Sequence, residues 1–498
     1  MIFENRDFVL KSLFSLLLSL SISLSKASFA FTPQVLTAQQ QTYNLFLRDA
    51  RKMLDEEVVS SADNRAIYAA RAALLFAEAT AADVDEITRK NIGLLKKLLK
   101  DIESDREQFV HHFLARIEIY IYSGMLQVRL DNRLRAASDF LSAYNLAKIA
   151  YNQYPKDAVV RLVWGNMIAT IGSLPPELRK YLSIIGYTGD VQKGLQLMKS
   201  AHRTIVQQRE YKPYLTKANL LYLITAKQLI DNEDVLPQNE GINPNENFCT
   251  AVVCAKVLME QGYNEAALNL LETNKPKAGQ VKLHYYHFLL GKARLAAGRA
   301  EAEQSFFTYL KDYRGKHHIK ATYKLLAWHY LLKDETEKAD SLMRRIPHVG
   351  QSIIGPDQQA EREANEPLNK TLIKARVFFD GGYLTEALEV LQADSALDCC
   401  QTDVEKAEYY YRLGRIYQKQ GLIYLAIDAF EKAVEANSAS SFSRANAALQ
   451  AALLYEKIGQ RDKAKINFQK CLAMRNFPYQ EGLHQKAKAG LERIDSLK

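Results

Sequence analysis

One spacing recurs through the second half of the chain. Gly262 is followed five residues on by Ala267 and four further by Leu271, and the frame returns as Gly382–Ala387–Leu391, Gly421–Ala426–Phe430 and Gly459–Ala464–Phe468. Four residues before each glycine stands a large apolar residue: Leu258, Phe378, Tyr417 and Tyr455. Self-similarity at this period constrains the fold more than any local pattern, because it implies one small unit that buries its faces only by stacking on its neighbours. The marker column reads Leu258, Arg294, Tyr330, Phe378, Tyr417 and Tyr455, at intervals of 36, 36, 48, 39 and 38 residues. The long step holds Pro347-His-Val-Gly-Gln-Ser-Ile-Ile-Gly-Pro356, a stretch of breakers that reads as a loop insertion.

The cleanest copy runs from Glu408 to Ala433. Gly414 and Ala426 are small where two helices must approach closely, and Tyr417 and Phe430 lie on inner stripes at helical spacing. Gly421 follows the first helix, where a left-handed cap is cheapest for glycine. Leu413, Gly414, Tyr417, Gly421, Ala426, Phe430 and Ala433 resemble the signature positions of the tetratricopeptide repeat. The resemblance covers residues 110–480 and implies an α-solenoid, antiparallel helix pairs wound into a right-handed superhelix whose first helices line a concave groove.

Other copies are degenerate. In the Arg294 copy Glu303 replaces the small second-helix residue, with Gly298 and Phe307 retained. Gly124, Ala136, Phe140 and Ala143 fit the frame, with a longer loop expected around Asp131-Asn132. Gly189-Asp190, Gly194, Met198 and Ala201 fit again, with Pro175-Pro176 opening that copy's first helix. Residues 37–100 read as amphipathic helices, with Asp157 and Ser60/Ser61 as candidate caps. No stretch alternates with period two, so the chain is expected to be all-α. The segment from Leu174-Pro-Pro-Glu-Leu to Gly194-Leu195 also resembles one in a eukaryotic tetratricopeptide family that includes a mitochondrial outer-membrane protein. The resulting organisation is a signal peptide (1–30), an N-terminal helical domain with degenerate repeats (31–232), a linker (233–248), repeats (249–346), a loop insertion (347–369), repeats (370–475) and a C-terminal capping helix (476–498).

The N-terminus carries Arg6 and Lys11, then an apolar run Ser12–Leu24 too short to span a bilayer, then Ser28-x-Ala30. That layout is a secretory signal peptide, predicting export to a periplasmic or extracellular compartment with cleavage near Ala30. No cysteine lies near residues 16–31, which excludes a lipoprotein, and no later segment offers about 18 uninterrupted apolar residues. Formal net charge is +9, and Arg6, Lys11 and Lys26 against Glu4 and Asp7 make the leader +1, leaving +8. Without a basic stripe interleaved with aromatics, this mild bias excludes a nucleic-acid partner. Five cysteines cannot all pair; Cys254 and Cys471 fall on small packing positions.

No phosphate loop, His-Glu-x-x-His, Gly-x-Ser-x-Gly or Cys-x-x-Cys is present, so no enzyme activity and no cofactor is expected. His284 and His287 share a helix face within reach of His317 or His318, without the paired short spacings of a zinc site. His111-His112 reads as a solvated helix start, and Glu361-Arg-Glu-Ala-Asn-Glu366 as a solvated charge run. What remains is the groove. Two residues before each marker the column reads Lys256, Lys292, Trp328, Arg376, Arg415 and Leu453, beside a second column of Phe288, Lys324, Leu372 and Tyr411. Read as solvent-facing, such a surface matches an acidic segment of a protein or peptide, with arginine giving bidentate pairs. The expected function is therefore a non-enzymatic protein-binding scaffold or assembly factor of the cell envelope. The alternative is a solute-binding or enzyme-accessory subunit that holds a small acidic ligand in the same groove.

Overall fold

The computed structural model describes residues 29–105, 109–230, 234–436 and 441–495. Among them are 24 α-helices and three short 3-10 turns, and no strand. All of the expected leader except Phe29 and Ala30 lies outside the described residues.

Four helices form the first layer: α1 (Pro33–Tyr43), α2 (Leu47–Ser60), α3 (Arg65–Ala82) and α4 (Asp85–Glu103). Then come α5 (Val110–Arg129) paired with α6 (Arg133–Gln153), and α7 (Ala158–Gly172), α8 (Pro176–Ile184), α9 (Val191–Gln207) and α10 (Leu215–Leu229). The repeats proper are the pairs α11 (Phe248–Glu260) with α12 (Asn264–Thr273), α13 (His284–Ala296) with α14 (Ala302–Leu310), and α15 (Ile319–Leu332) with α16 (Thr336–Arg345). After α17 (Gly355–Glu363) follow α18 (Lys370–Gly381) with α19 (Leu384–Gln392), α20 (Asp403–Lys419) with α21 (Ile423–Glu435), and α22 (Phe442–Lys457) with α23 (Arg461–Ala473). Helix α24 (Gln480–Asp495) covers the last pair, with Gly490 against the Phe468 ring.

The turn chemistry follows the expected frame. Gly262, Gly298, Gly382, Gly421 and Gly459 all have φ between 65° and 86°, the left-handed region. Where the frame lacks glycine, Asp334 (φ 65°) takes the same place, a conformation that short polar side chains tolerate. Asp131 (φ 58°) stands seven residues after Gly124, as Gly421 stands seven after Gly414. Gly124 faces Phe140 as Gly414 faces Phe430, sixteen residues on in each case. The turn at Asp131-Asn132 is thus of ordinary length, not the longer loop the sequence predicts.

Three further expectations are corrected. In α14 the small residue and ring that are buried are Ala302 and Phe306, while Phe307 is exposed; the turn after Gly298 is one residue shorter than in the other repeats, so the second helix enters one position earlier. Pro176 opens α8, not a first helix; the partner of α9 is α7, and their backbones meet at Gly165 and Gly194, where an added Cβ on either would fall within 3 Å of the other's carbonyl oxygen. Asp157 caps α7 as expected, but α3 is capped by Asn64, and Ser60 and Ser61 stand at the end of α2.

The first layer does not trail away from the repeats; it folds back onto them. The Val281 N–H donates to the Leu45 carbonyl (2.8 Å) and Gln280 Nε2 to that of Asn44 (2.7 Å). Asp83, at the α3–α4 corner, is buried among Arg129, Tyr313 and His317, whose Nδ1 lies 2.8 Å from it, while Lys316 pairs with Asp85 (2.9 Å). One apolar core joins Leu45 and Leu47 of the first layer to residues of α5 through α15 and Val377, while α1–α4 otherwise pack in smaller clusters. Repeats further apart also touch: Gly262 and Gly382 meet backbone to backbone, and Asn264 Nδ2 donates to the Tyr383 hydroxyl (3.0 Å). Among the described residues no single helix is long and apolar enough to cross a membrane; α7 and α8 pass only as a pair bent by 120°, and α7 is mostly core.

Candidate functional site: a cation row and an acidic helix

Helix α15 places Lys320, Lys324 and Trp328 at successive four-residue steps, so they share a face. Across from it α18 presents Arg376. Lys324 Nζ and the Arg376 guanidinium each lie 4.9 Å from the Trp328 ring centroid, one cation on each helix bearing on one indole.

The surface they form is not open. Helix α17, inside the segment expected to be a loop, lies against it. Glu363 accepts from Lys324 Nζ (2.9 Å), Arg376 Nη1 (3.4 Å) and Gln359 Nε2 (2.7 Å). Glu361 pairs with Lys320 (2.5 Å), whose Nζ also donates to the Ile346 carbonyl (2.7 Å). Asp357 accepts from the backbone N–H groups of His318 (2.6 Å) and Ala321 (3.0 Å), capping α15 from outside its own chain segment. Within Glu361–Glu366, Arg362, Asn365 and Glu366 are exposed as expected, but Glu361 and Glu363 are not free in solvent: burial pushes the Glu363 carboxyl upward, yet Arg376 and Lys324 outweigh it and hold it at about 2. Burial pulls Lys324 down to about 8 against the opposing pull of Glu363, and pushes Asp357 up to about 6 despite its two N–H donors.

The sequence-predicted columns separate accordingly. Phe288, Lys324, Leu372 and Tyr411 are all buried, so the second column belongs to the core and not to a solvent-facing groove; stacking of successive first helices, together with α17, covers it. In the first column Trp328 is buried and Lys256, Lys292, Arg376 and Arg415 are half-buried. Lys324, Trp328 and Arg376 meet directly, whereas Lys256 pairs with Glu260 on its own helix (2.5 Å) and Lys292 lies near His318. Arg415 continues the row one helix on. Its guanidinium sits 5.4 Å from the Phe379 ring, one turn along α18 from Arg376, and Nη1 donates to the Tyr411 hydroxyl (2.9 Å). That hydroxyl also accepts from Asn446 Nδ2 (2.8 Å), and Gln418 and Gln450 bond each other beside it (2.9 Å). Arg415 Nε is buried with no hydrogen-bond partner, and among the described residues no carboxylate pairs with this arginine.

The histidines are otherwise engaged. His284 Nδ1 bonds the Tyr309 carbonyl (3.1 Å), His317 bonds Asp83, and His318 lies against Phe288. His112 is fully buried and accepts the Phe109 N–H through Nδ1 (3.2 Å), so the expected solvated helix start is an internal cap. All five cysteines are free thiols; Cys254 and Cys471 are core residues.

The family profile described as tetratricopeptide repeat matches residues 407–440 and 445–477, that is, α20–α21 and α22–α23 with their flanks. These two helix pairs are tetratricopeptide repeats. No curated protein matches it. Solved structures similar to it include the APC/C hetero-tetramer Cut9-Hcn1 (14% identity, TM-score 0.24, covering 91% of this chain and 95% of that one) and yeast Tom70 (14%, 0.23, 92% and 96%). The fold of these helix pairs is consistent with protein binding, and α20 and α22 bring Tyr411, Arg415, Asn446 and Gln450 together.

Proposed function

We propose that this chain is a non-enzymatic scaffold or assembly factor that binds an acidic protein or peptide segment along the inner face of α20 and α22, with Arg415 as the charged anchor. The observation that carries this reading is the state of Arg415: a half-buried guanidinium, stacked and oriented by Phe379 and Tyr411, with one N–H unpaired. Its charge is met by no carboxylate among the described residues, so an acidic group that reaches its Nη atoms would gain charge-assisted hydrogen bonds. Gln418, Asn446 and Gln450 add amide groups suited to an extended backbone. The test places a photo-crosslinking side chain at Gln450 in cells, with Asp428 on the outer face as the comparison. A discrete adduct at Gln450 that disappears with Arg415→Glu supports the reading; adducts that form equally at Asp428, or that survive Arg415→Glu, overturn it.

The compartment belongs to the same proposal. Arg6, Lys11, the apolar run Ser12–Leu24 and Ser28-x-Ala30 support export into the cell envelope. N-terminal sequencing of the mature protein is expected to begin near Phe31, and a cytosolic chain beginning at Met1 would remove the envelope from the proposal.

A further inference from the structure

Helix α17 is an odd member of this fold. It lies within the one repeat step that is 48 residues long, bounded by Pro347 and Gly350 on one side and Pro367 on the other. Its nine residues contain only Pro356 and Ala360 as apolar side chains, and its buried residues are Asp357 and Ala360. Its one buried apolar side chain, Ala360, packs with Tyr330, Leu331, Met343 and Ile346, and the rest of its hold is by three carboxylates. Asp357 takes the open N–H groups of α15, Glu361 takes Lys320, and Glu363 takes Lys324 and Arg376 over Trp328. A nine-residue helix is marginal by itself, and ion pairs withdrawn from water stabilise a contact weakly while making it selective for charge. The surface beneath it is therefore a carboxylate-reading site with a carboxylate-bearing helix already seated.

The row of cations also extends beyond what α17 covers. Arg376 and Phe379 are one turn apart on α18, and Phe379 carries Arg415, which α17 leaves without a carboxylate.

From this juxtaposition we infer that α17 is a tethered ligand of its own repeat array: it occupies a site for acidic helices built by Lys320, Lys324, Trp328 and Arg376, and an acidic helical segment of a partner protein displaces it. The inference rests on the protein-binding reading above and supplies its regulation, because the partner must compete with a helix present at the high effective concentration of a short tether.

The experiment uses the full chain and, as probe, a fluorescein-labelled synthetic peptide of residues 353–368. The double variant Glu361→Gln with Glu363→Gln is expected to bind the probe at least about tenfold more tightly than the wild-type chain. Binding is expected to weaken with added salt and to be lost when Arg376→Glu is combined with it. Equal probe binding by wild type and double variant overturns the inference. Should the double variant fail to fold, hydrogen exchange on the wild type decides. The amides of residues 357–363 are expected to lose protection in added salt while those of α15 and α18 keep theirs, and unchanged protection of α17 overturns the inference. The two proposals fail separately. An Arg415-dependent adduct at Gln450 with no exchange of α17 leaves the scaffold and removes the tethered ligand, whereas probe binding by the double variant with no adduct at Gln450 does the reverse.

Discussion

Gly414 and Phe430 show how one residue decides a repeat. An added Cβ on Gly414 would lie 2.5 Å from the Phe430 ring, and that ring is fully buried with nowhere to move. Ala426, on the same helix as Phe430, is equally buried. Ala426→Leu is expected to cost about 1–3 kcal/mol through overpacking, and Lys432→Leu, at an exposed position, almost nothing; equal denaturant midpoints for the two would refute this register. The roles of these residues are legible from their spacing. The role of Phe306 is not, because a turn shortened by one residue moves the buried ring without changing composition, leaving Phe307 as the better sequence match.

At the scale of the element, α17 is where pattern reading failed. Its acidic face has the signature of solvated surface, and only its position over α15 and α18 makes it a buried ion-pair lock. The same charges make the contact acid-labile. Glu363 is held at about 2, below its ordinary 4.5, so its contribution is fully present above about 4.5 and is lost as pH falls toward 2. That contribution is on the order of 3 kcal/mol at most. With Trp164→Phe leaving Trp328 as the only tryptophan, its fluorescence is expected to shift over that window, and Glu363→Gln is expected to abolish the shift. A shift that persists in the Gln variant would assign the transition to another group. Arg376→Glu, which an open groove would tolerate, is instead expected to destabilise, since it sets two carboxylates side by side; a wild-type melting temperature would place Arg376 in free solvent.

For the whole molecule, the decisive contact is between distant parts of the chain. Asp83 joins the α3–α4 corner to His317 and Tyr313, some 230 residues on, with Arg129 beside them. Burial raises the Asp83 carboxyl, but the His317 bond and the Arg129 charge outweigh it, so its pKa is lowered and its stabilising contribution is present at neutral pH and lost in acid. Asp83→Ala leaves buried His317 and half-buried Arg129 without their shared carboxylate and is expected to cost about 3 kcal/mol. Limited proteolysis is expected to release the first layer (33–103) before the C-terminal repeats, and an unchanged cleavage pattern would show that the corner is not a latch.

From the sequence alone, the period, the left-handed turns and the small-against-large pairs determine that the chain is all-α and made of stacked helix pairs. Those features are local: glycine at a left-handed cap and alanine beneath an aromatic ring act within about forty residues, and the string records them directly. The cation column is legible too, because Lys256, Lys292, Arg376 and Arg415 recur at one repeat position. What covers that column is not. The burial of Lys324 and Trp328 beneath α17, and the return of α1–α4 onto α11–α15, depend on helices that meet across tens to hundreds of residues. Charge runs and polar corners have no periodicity that reports their partners; only the packed fold decides whether such a carboxylate meets water or an arginine.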